Sequence, residues 1–596
     1  MIPPRLEWLL PPPVLDPPAF TGFGRPVATL LARRGFSTQA DLDAFLLAGR
    51  ASLHPVSLMA DADTALERLG LALDRGERIA IWGDYDADGM SAVAVWTIAL
   101  RALGAEAVRH VPSRLADGYG LSRAGLDRLA GMGVSLVVTC DCGVVNVTEV
   151  AHARAIGLDL IVTDHHLPGP ELPPAVAVVD PHRPDCAYPD PDLTGAGIAF
   201  KLAAELARRR GASVPDLAGV AAIGTVADMA PMTGESRAIV RLGLEELATT
   251  GRAGLRALLA RACEHPEQPT ARDLAYAVAP RVNAAGRIDE AELAISLLLE
   301  EEPEAAARLA DALEEVHRRR RALTLSALSA AREMAASDDG RGPLLLRHDE
   351  WAPGIIGLVA GRLADDLARP VAVAVLVGEE VRGSVRAPED FHVASALEAC
   401  ATFLTKRGGH AGAGGFSLLP AAWERFADAF RALPRPYPAG APAAPREANR
   451  VIVDLVLPAS HLGWSLAAEL DRLAPYGPGH LEPIVAVTGL RVGDARRVGP
   501  DARHVALRLL RGAETVDAIA FATPAERPVP EEGVSLDVVG TLERDTFQGQ
   551  PRLRLQVLDY ATADASPLLA RRRAARAAPT SQAVPLRVGE GLPAAS

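Results

Sequence analysis

Strand-like and helix-like segments alternate through the first half of the chain. Apolar residues recur at helical spacing from Asp61 to Arg75, and the buried-type runs IAIW and LVVTC follow further on. Between and after them the helix-like segments 90–103, 122–131 and 147–156 alternate with the strand-like segments 108–111, 158–163 and 175–179. Because the strands are continuously apolar, they are expected to be buried on both faces. The pattern predicts βαβ units and a mostly parallel sheet, that is, an α/β fold.

The pattern changes several times along the chain and predicts separate regions. The segment 300–336 has no glycine and one early proline, so it predicts one long connecting helix between two α/β regions. Many short β-like runs after residue 450 predict a small β barrel. The predicted regions are a lead-in packed on the first domain (1–55), a first α/β domain (56–299), the connecting helix (300–336), a second α/β domain (337–433), a Pro/Ala-rich linker (434–449), the barrel (450–562) and a disordered tail (563–596).

Composition and charge narrow the class of protein. The 596 residues are 49% hydrophobic and 23% charged, which excludes wholesale disorder. No apolar run approaches the ~18 residues of a membrane span, and prolines interrupt the N-terminal segment before a signal-peptide core can form. The net charge of −13 argues against a uniformly basic surface for binding nucleic acid, but it is compatible with a local basic channel. Five cysteines without a CxxC pair favour the reducing cytoplasm over a disulfide framework or a zinc ribbon.

The first chemical signal is the acidic segment GDYDADG at 83–89. Asp84, Asp86 and Asp88 directly follow the strand-like IAIW and precede a helix-like run. In an extended segment, alternation would direct all three carboxylates to one side. Carboxylates that close repel and raise one another's pKa unless a cation lies among them. A calcium-type or solvated acidic loop would show the same motif, so this segment alone leaves the chemistry open.

Two further strand ends repeat the arrangement. LVVTC ends at Asp141, and the next strand ends at Asp164-His165-His166. Because the carboxyl ends of parallel strands meet at one edge of a sheet, these side chains are expected to converge. Asp228 follows an apolar segment without a nearby basic residue, and a metal would explain such a carboxylate. Carboxylates with one imidazole suit Mn²⁺ or Mg²⁺ better than thiolate-binding metals.

These motifs resemble a known family. DYDADG, TCDCG, DHH and GTVADMAP, in this order, are similar to the motifs of the DHH phosphoesterases, and PRVNAAGRIDEAE (280–292), GSVRAPEDFHVASALEAC (383–400) and GGHAGAGGF (408–416) extend the resemblance to single-strand-specific 5′→3′ DNA exonucleases of that family. The resemblance runs from about Leu53 to Leu558. It implies a DHH domain, a DHHA1 substrate-binding domain and a C-terminal OB-like nucleic-acid-binding domain.

The resemblance also implies roles for individual residues. Two divalent cations, Mn²⁺ or Mg²⁺, would be bound by Asp86, Asp88, Asp141, His165 and Asp228, with Asp141 bridging. Asp84, Asp164 and His166 would assist catalysis. The substrate would be bound by Arg114, Arg281, Asn283, Arg287, Ser384, Arg386, Gly409, His410 and Gly412. Of these, Arg114, Arg287, Ser384 and Arg386 would gather the terminal 5′ phosphate, and Arg281 and Asn283 would contact backbone phosphates. Two-metal hydrolysis of phosphodiesters would release nucleoside 5′-monophosphates during DNA recombination and repair.

Some features leave the resemblance incomplete. The family's WHPG segment reads Trp351-Ala352-Pro353-Gly354, so a histidine is missing, and its usual Thr-Ser reads Ser91-Ala92. In the barrel region, Phe521 and Phe547 are interpreted as core residues rather than base-stacking platforms. A short-oligonucleotide or cyclic-dinucleotide phosphodiesterase and an inactive replication scaffold are the alternative functions. A helicase and a single-strand-binding protein are expected as partners only through the resemblance, and a monomer is expected by default.

Overall fold

The computed structural model describes residues 1–12, 14, 16–113, 120–288, 291–338, 340, 342–435, 437, 450–499, 502–512, 514–547 and 550–569. These residues form two compact units. One unit contains the described residues within 1–39, 450–472 and 482–569, and the other contains those within 40–437 and 473–481. No helix in the described ranges combines the length and the apolar character that crossing a membrane requires.

The chain begins with strand β1 (Glu7–Leu9) and helices α1 (Arg25–Arg33) and α2 (Gln39–Leu46). β1 pairs in parallel with β12 (Arg450–Ile452), and residues 1–39 belong to the same unit as the C-terminal strands. Residues 1–39 therefore form a unit with the C-terminal strands, an association that the sequence analysis did not predict. The apolar side chain of Trp8 is buried with Val451 and Val453 in a shared cluster, which a one-dimensional pattern cannot reveal.

The first α/β region contains a five-stranded parallel sheet, as the sequence predicts. Its strands are β2 (Ile79–Gly83), β3 (Val108–His110), β4 (Leu136–Cys140), β5 (Asp159–Thr163) and β6 (Ala177–Val179), in the order β3-β2-β4-β5-β6. The helices between them are α3 (Ala62–Arg75), α4 (Ala87–Ala102), α5 (Arg123–Gly131) and α6 (Val147–Ala155). Separate apolar clusters cover the two faces of this sheet, which explains why its strands read as continuously apolar.

A helical layer follows the sheet. It comprises α7 (Gly195–Arg209), α8 (Leu217–Ala227), α9 (Gly234–Thr249), α10 (Ala253–Ala262), α11 (Ala271–Asp273), α12 (Ala279–Arg287) and α13 (Ala291–Leu299), with a π-helical turn at Leu274–Val278. The connecting helix α14 (Pro303–Ala336) has 34 residues and begins with a proline, which is favourable at the first helical position. Its position confirms the long helix that the sequence predicts.

The second α/β region has a mixed sheet of five strands. They are β7 (Leu344–Arg347), β8 (Val371–Val377), β9 (Glu380–Arg386), β10 (Lys406–Gly409) and β11 (Ala413–Leu418), in the order β10-β11-β9-β8-β7. Helices α15 (Ile356–Leu367), α16 (Val393–Ala399) and α17 (Trp423–Arg431) accompany this sheet. The predicted linker lies mostly outside the described residues.

The C-terminal strands form a closed barrel, which confirms the predicted β-barrel class. The elements are β13 (Leu455–Pro458), α18 (Trp464–Asp471), β14 (Val485–Val498), β15 (His504–Arg511), β16 (Glu514–Ala520), β17 (Ser535–Phe547) and β18 (Gln550–Thr562). Pairing of β14 with β17 closes the ring of five strands. Phe521 is 48% exposed, so its interpretation as a core residue is wrong. The side chain of Phe547 and most of the predicted disordered tail (residues 570–596) lie outside the described part.

Candidate active site

The acidic motifs follow the carboxyl ends of neighbouring parallel strands. Asp84 follows β2, Asp141 follows β4, and Asp164 to His166 follow β5. The backbone continues the sheet beyond the strands, because the N–H of Asp141 donates to the carbonyl of Thr163. The predicted convergence of these motifs at one edge of the sheet is therefore present.

Helix α4 places two of the carboxylates differently from the sequence prediction. Asp86 is its N-cap, and its Oδ1 accepts from the N–H groups of Asp88 (2.9 Å) and Gly89 (3.0 Å). Asp88 already lies in the first helical turn, so the prediction of one extended segment through all three aspartates is wrong. The two oxygens of Asp88 accept from the N–H groups of Gly195 and Ala196 at the N-terminus of α7, at 2.7 and 3.0 Å. Two helix N-termini thereby orient this pair of carboxylates.

His165 lies at the centre of the carboxylates. Its Nε2 is 3.0 Å from Asp141 Oδ1, 3.7 Å from Asp228 Oδ2 and 3.9 Å from Asp88 Oδ2. Three overlapping groups have ligand atoms within 4.8 Å of one another and could each hold a metal ion. They are Asp84, Asp86 and Asp141; Asp88, His165 and Asp228; and Asp141, His165 and His166.

The charges of this cluster are far from those of isolated side chains. Burial and the neighbouring carboxylates raise the pKa of Asp88 and that of Asp141 well above their usual range. Burial, with Asp86 nearby, raises the pKa of Asp228 to about 6. Burial also lowers the pKa of His165 to about 4, so this imidazole is neutral at physiological pH. A neutral imidazole among mutually repelling carboxylates is a donor set that fits divalent cations.

His166 and Asp164 form a separate pair beside the cluster. His166 Nδ1 is 2.8 Å from Asp164 Oδ1, which also accepts from the backbone N–H of His165 at 2.8 Å. Burial opposes protonation of His166, but its hydrogen bond to Asp164 and the nearby carboxylates outweigh that effect and raise its pKa to about 9. The two adjacent histidines are therefore held in opposite charge states.

A fourth strand end contributes residues that the sequence interpretation missed. Asp180 follows β6 and is fully buried, and its Oδ1 accepts from the N–H of His182 at 2.7 Å. The ring of His182 in turn donates from Nδ1 to the carbonyl of His165 at 2.7 Å. Burial raises the pKa of Asp180 to about 7. The signal was present in the sequence, since Asp180 ends a strand as the other acids do.

The predicted substrate residues of the second α/β region come together around the start of α15. Arg386 Nη1 donates to Ser384 Oγ at 2.9 Å, both on β9. A side chain at Gly357 would lie 3.1 Å from Ser384 Oγ and 3.2 Å from Arg386 Nη2, so this glycine leaves the helix start open to them. The N–H of Ala387, next to Arg386, donates to the carbonyl of Gly412 at 3.0 Å, which joins the glycine-rich hairpin with Gly409 and His410 to this strand. Ser384, Arg386, the hairpin and the start of α15 together form one corner of the second region.

Helix α12 links that corner to the acidic cluster. Asn283 Oδ1 accepts from the N–H of Ala87 at 2.9 Å, in the turn that carries Asp86 and Asp88. A side chain at Gly286 would collide with the carbonyl of Tyr85, so the helix lies directly on the acidic segment. At its end, Arg287 Nη1 donates to the carbonyl of Gly354 at 3.3 Å.

The remaining predicted residues are not all brought to this site. Arg281 hydrogen-bonds Glu314 on α14 at 2.7 Å and the carbonyl of Ala277 at 2.8 Å, so it has a structural pairing. Arg114 lies outside the described residues. Ala352, which replaces the expected histidine, packs with Trp351 against an apolar cluster under β8 and α15.

Comparisons with known proteins agree with this architecture. Three family models match the chain: "DHH family, N-terminal domain" over residues 78–225, "DHHA1 domain" over 341–433 and "RecJ OB domain" over 453–559. The first contains four of the strand ends described above, and the second contains the corner formed by Ser384, Arg386 and the glycine-rich hairpin.

Curated relatives and solved structures match almost the whole chain. Proteins named single-stranded-DNA-specific exonuclease RecJ are 31% identical in Bacillus subtilis, with 90% of this chain and 68% of the relative covered, and 32% identical in Salmonella typhimurium, with 89% and 94% covered. The crystal structure of RecJ from Thermus thermophilus in complex with Mn²⁺ has a TM-score of 0.76 at 30% identity and covers 94% of this chain and 80% of that one. Its complex with Mg²⁺ has a TM-score of 0.71 at 29% identity, with 94% and 79% covered. Given identity above 30% over most of both sequences and matching models for all three domains, the chain belongs to the RecJ family.

Proposed function

We propose that the chain is a single-stranded-DNA-specific 5′→3′ exonuclease that acts in DNA recombination and repair and releases nucleoside 5′-monophosphates. The observation that carries this proposal is the cluster of carboxylates around the neutral imidazole of His165, two of which, Asp88 and Asp141, are almost completely buried. The chain has the aspartates and histidines of all four motifs that resemble those of the DHH phosphoesterases. It therefore has the groups that metal-dependent phosphodiester hydrolysis requires, in a fold shared with proteins named as exonucleases.

Two divalent cations, Mn²⁺ or Mg²⁺, are the proposed cofactors. Asp86, Asp88, Asp141, His165 and Asp228 would hold them. Asp141 would be shared between the two, because it belongs both to the group with the two histidines and to the group with Asp84 and Asp86. Such ions, when bound, lower the pKa of a coordinated water and neutralise charge on the phosphate. Protonated His166, oriented by Asp164, presents a positive charge and a proton donor beside the cluster. Asp84 lies buried at the end of β2 and would add negative charge that favours cation binding.

The polarity of the enzyme would come from the second α/β region. Guanidinium groups match phosphate oxygens, and backbone N–H groups at glycines can approach them closely. Arg386, Ser384 and the hairpin residues Gly409, His410 and Gly412 would bind a terminal 5′ phosphate, with Arg287 between this corner and the acidic cluster. A strand whose 5′ end is held there would present an adjoining phosphodiester to the cluster.

The substrate, partners and compartment complete the proposal. Single-stranded DNA is the proposed substrate, and a helicase and a single-strand-binding protein are proposed partners through the family resemblance. The free thiols of all five cysteines support a reducing compartment such as the cytoplasm. The predicted region boundaries and the monomeric state stay predictions.

The direct test is digestion of a 3′-labelled, 5′-phosphorylated single strand in Mn²⁺, in Mg²⁺ and in EDTA. We expect metal-dependent shortening from the 5′ end with release of mononucleotides. A duplex and a strand with a blocked 5′ end serve as controls and should be spared.

Two results would contradict the proposal. Hydrolysis of dinucleotides without digestion of a long strand would place the protein among the small-substrate phosphodiesterases. Binding of single strands without any metal-dependent cleavage would support an inactive scaffold.

A further inference from the structure

The middle of α14 carries four consecutive arginines, residues 318–321. Ala310 and Leu313, before the arginines, belong to the apolar cluster of the first α/β region, and Ala327 and Leu328, after them, belong to a cluster of the second. The arginines therefore lie where the helix passes from the first α/β region to the second. Both regions belong to the same compact unit.

Only one of the four arginines lies on the inward face of the helix. The buried side chains of α14 are Ala306, Ala310, Leu313, Val316, His317, Ala327, Leu328 and Ala331. At 100° per residue, Arg320 and Thr324 continue this stripe between His317 and Ala327. Both are half-buried, so the inward stripe turns from apolar to polar where the helix crosses between the two regions.

Arg320 lacks the partners that such an arginine normally has. Its buried Nε has no hydrogen-bond partner, and no carboxylate within the described ranges lies at ion-pair distance from its guanidinium. Its Nη2 is 3.4 Å from His317 Nδ1, an atom that also lies 3.3 Å from the carbonyl of Pro280 and cannot serve both groups at once. By contrast, Arg281 and Arg252 bind Glu314 and Glu301 at 2.7 and 2.9 Å.

The surroundings of Arg320 favour an anion. Burial and the adjacent Arg321 lower its pKa, and the pKa of His317 is lowered by burial and by Arg320 and Arg281. The nearby carboxylate of Glu314 already binds Arg281. A half-buried guanidinium is costly unless a negative group compensates it, and the described part of the protein supplies none here.

The position of Arg320 connects it to the active site. His317 contacts the carbonyl of Pro280 on α12, and Pro280 precedes Asn283 by three residues, which is about 4.5 Å along a helix. Asn283 accepts the N–H of Ala87 in the acidic segment. The half-buried face of α12 that carries Pro280, Asn283 and Arg287 thus runs from the surroundings of Arg320 to the acidic cluster.

We infer that Arg320 binds an internucleotide phosphate of the single strand on the 3′ side of the cleaved bond, with Arg319 and Arg321 flanking it. This inference rests on the proposed function. In a 5′→3′ exonuclease the undigested strand leaves the active site in the 3′ direction, and a phosphate at Arg320 would supply the missing negative charge. The connecting helix would then be part of the substrate surface as well as a spacer.

The test compares Arg320→Gln with Arg318→Gln. Arg318 belongs to the same run but lies on the opposite face, is 66% exposed and pairs with Glu315, which makes it a matched control. We expect Arg320→Gln to weaken binding of a long single strand about tenfold, since a charge-assisted hydrogen bond is lost. The slope of log K against the logarithm of the salt concentration should become about 0.7 less negative, because one phosphate contact is lost. The loss of kcat/KM should be larger for the long strand than for a dinucleotide, Arg320→Lys should restore part of it, and Arg318→Gln should match the wild type.

A thermal melt of the same proteins distinguishes a binding role from a structural one. Because the charge of Arg320 is uncompensated in the free protein, Arg320→Gln should melt at the same temperature as the wild type or higher. A lower melting temperature with unchanged DNA affinity, or equal losses for Arg320→Gln and Arg318→Gln, would overturn the inference. Digestion by the wild type tests the proposed function by itself. If the wild type does not degrade single strands, the proposed function is wrong, whatever the variants show.

Discussion

At the scale of single residues, the site is built from carboxylates that are unfavourable without a partner. Asp88 and Asp141 are almost completely buried, and each receives backbone or imidazole contacts rather than a lysine or arginine. The sequence predicted that these motifs converge, because Asp84, Asp141 and Asp164 each follow a strand of the parallel sheet. The sequence could not predict the hydrogen bonds from the N–H groups of Gly195 and Ala196 to Asp88, since both residues lie more than 100 positions from Asp88 along the chain.

Replacement of Asp141 by asparagine should separate stability from activity. The substitution removes a buried charge that neighbouring carboxylates disfavour, so the metal-free protein should melt at a higher temperature than the wild type. Since loss of even an outer-shell partner costs a metal site about 10–100-fold, loss of this residue should lower turnover by more than about 100-fold. Thermal melts in EDTA and in Mn²⁺ check this. If Mn²⁺ raised the melting temperature of the variant as much as that of the wild type, the assignment of Asp141 as a ligand would be contradicted.

His166 should make the stability of the metal-free protein depend on pH. Its pKa is about 9 in the folded protein and 6.5 in a free side chain, so its pairing with Asp164 stabilises the fold fully below pH 6.5 and progressively less as the pH rises through about 9. Asp164, whose pKa is lowered, stays ionised over this range. Urea unfolding in EDTA at several pH values should show a stability difference between the wild type and His166→Gln that shrinks as the pH increases. A difference independent of pH would contradict the pairing.

At the scale of elements, helix N-termini complete what the strands begin. Asp86 caps α4, and the first N–H groups of α7 bind Asp88, so both helices direct positive ends of their dipoles towards acids. The strands and the long helix α14 were predictable from apolar spacing. The helical position of Asp88 was not predictable, because the acidic sequence GDYDADG fits a loop as well as the first turn of a helix.

Glycine at position 195 should be necessary for the approach of α7 to Asp141. A side chain at Gly195 would lie 2.6 Å from Asp141 Cβ, so Gly195→Ala must displace the helix or the carboxylate. We expect destabilisation of about 1–3 kcal/mol and a loss of turnover of about 10–100-fold. Gly197→Ala, in the same helical turn, is the control, because its added carbon would lie an ordinary 3.4 Å from Ile239. Equal activities in the two variants would show that this close approach is unimportant.

At the scale of the whole molecule, helix α12 connects the acidic cluster of the first α/β region to the second α/β region. α12 contacts the acidic segment through Asn283 and the second region through Arg287 and Gly354, and α15 then begins beside Ser384 and Arg386. The order of the domains was readable from composition and motifs. The association of residues 1–39 with the C-terminal barrel was not, because a parallel pairing between β1 and β12 joins residues 443 positions apart.

Recognition of the 5′ end should depend on residues of the second α/β region, apart from the acidic cluster that would cleave the phosphodiester. Arg386 lies on β9 of the second region, where Ser384 holds its guanidinium towards the open start of α15. Arg386→Gln should therefore reduce the preference for a 5′-phosphorylated strand over a 5′-hydroxyl strand by about tenfold, as expected for one charge-assisted contact. It should affect cleavage of the 5′-hydroxyl strand much less. Arg382→Gln, on the same strand β9 but paired in register with Ser417 at the far end, serves as the control. Competition between the two strands in one digestion measures the preference directly, and an unchanged ratio for Arg386→Gln would remove this residue from the 5′-end site.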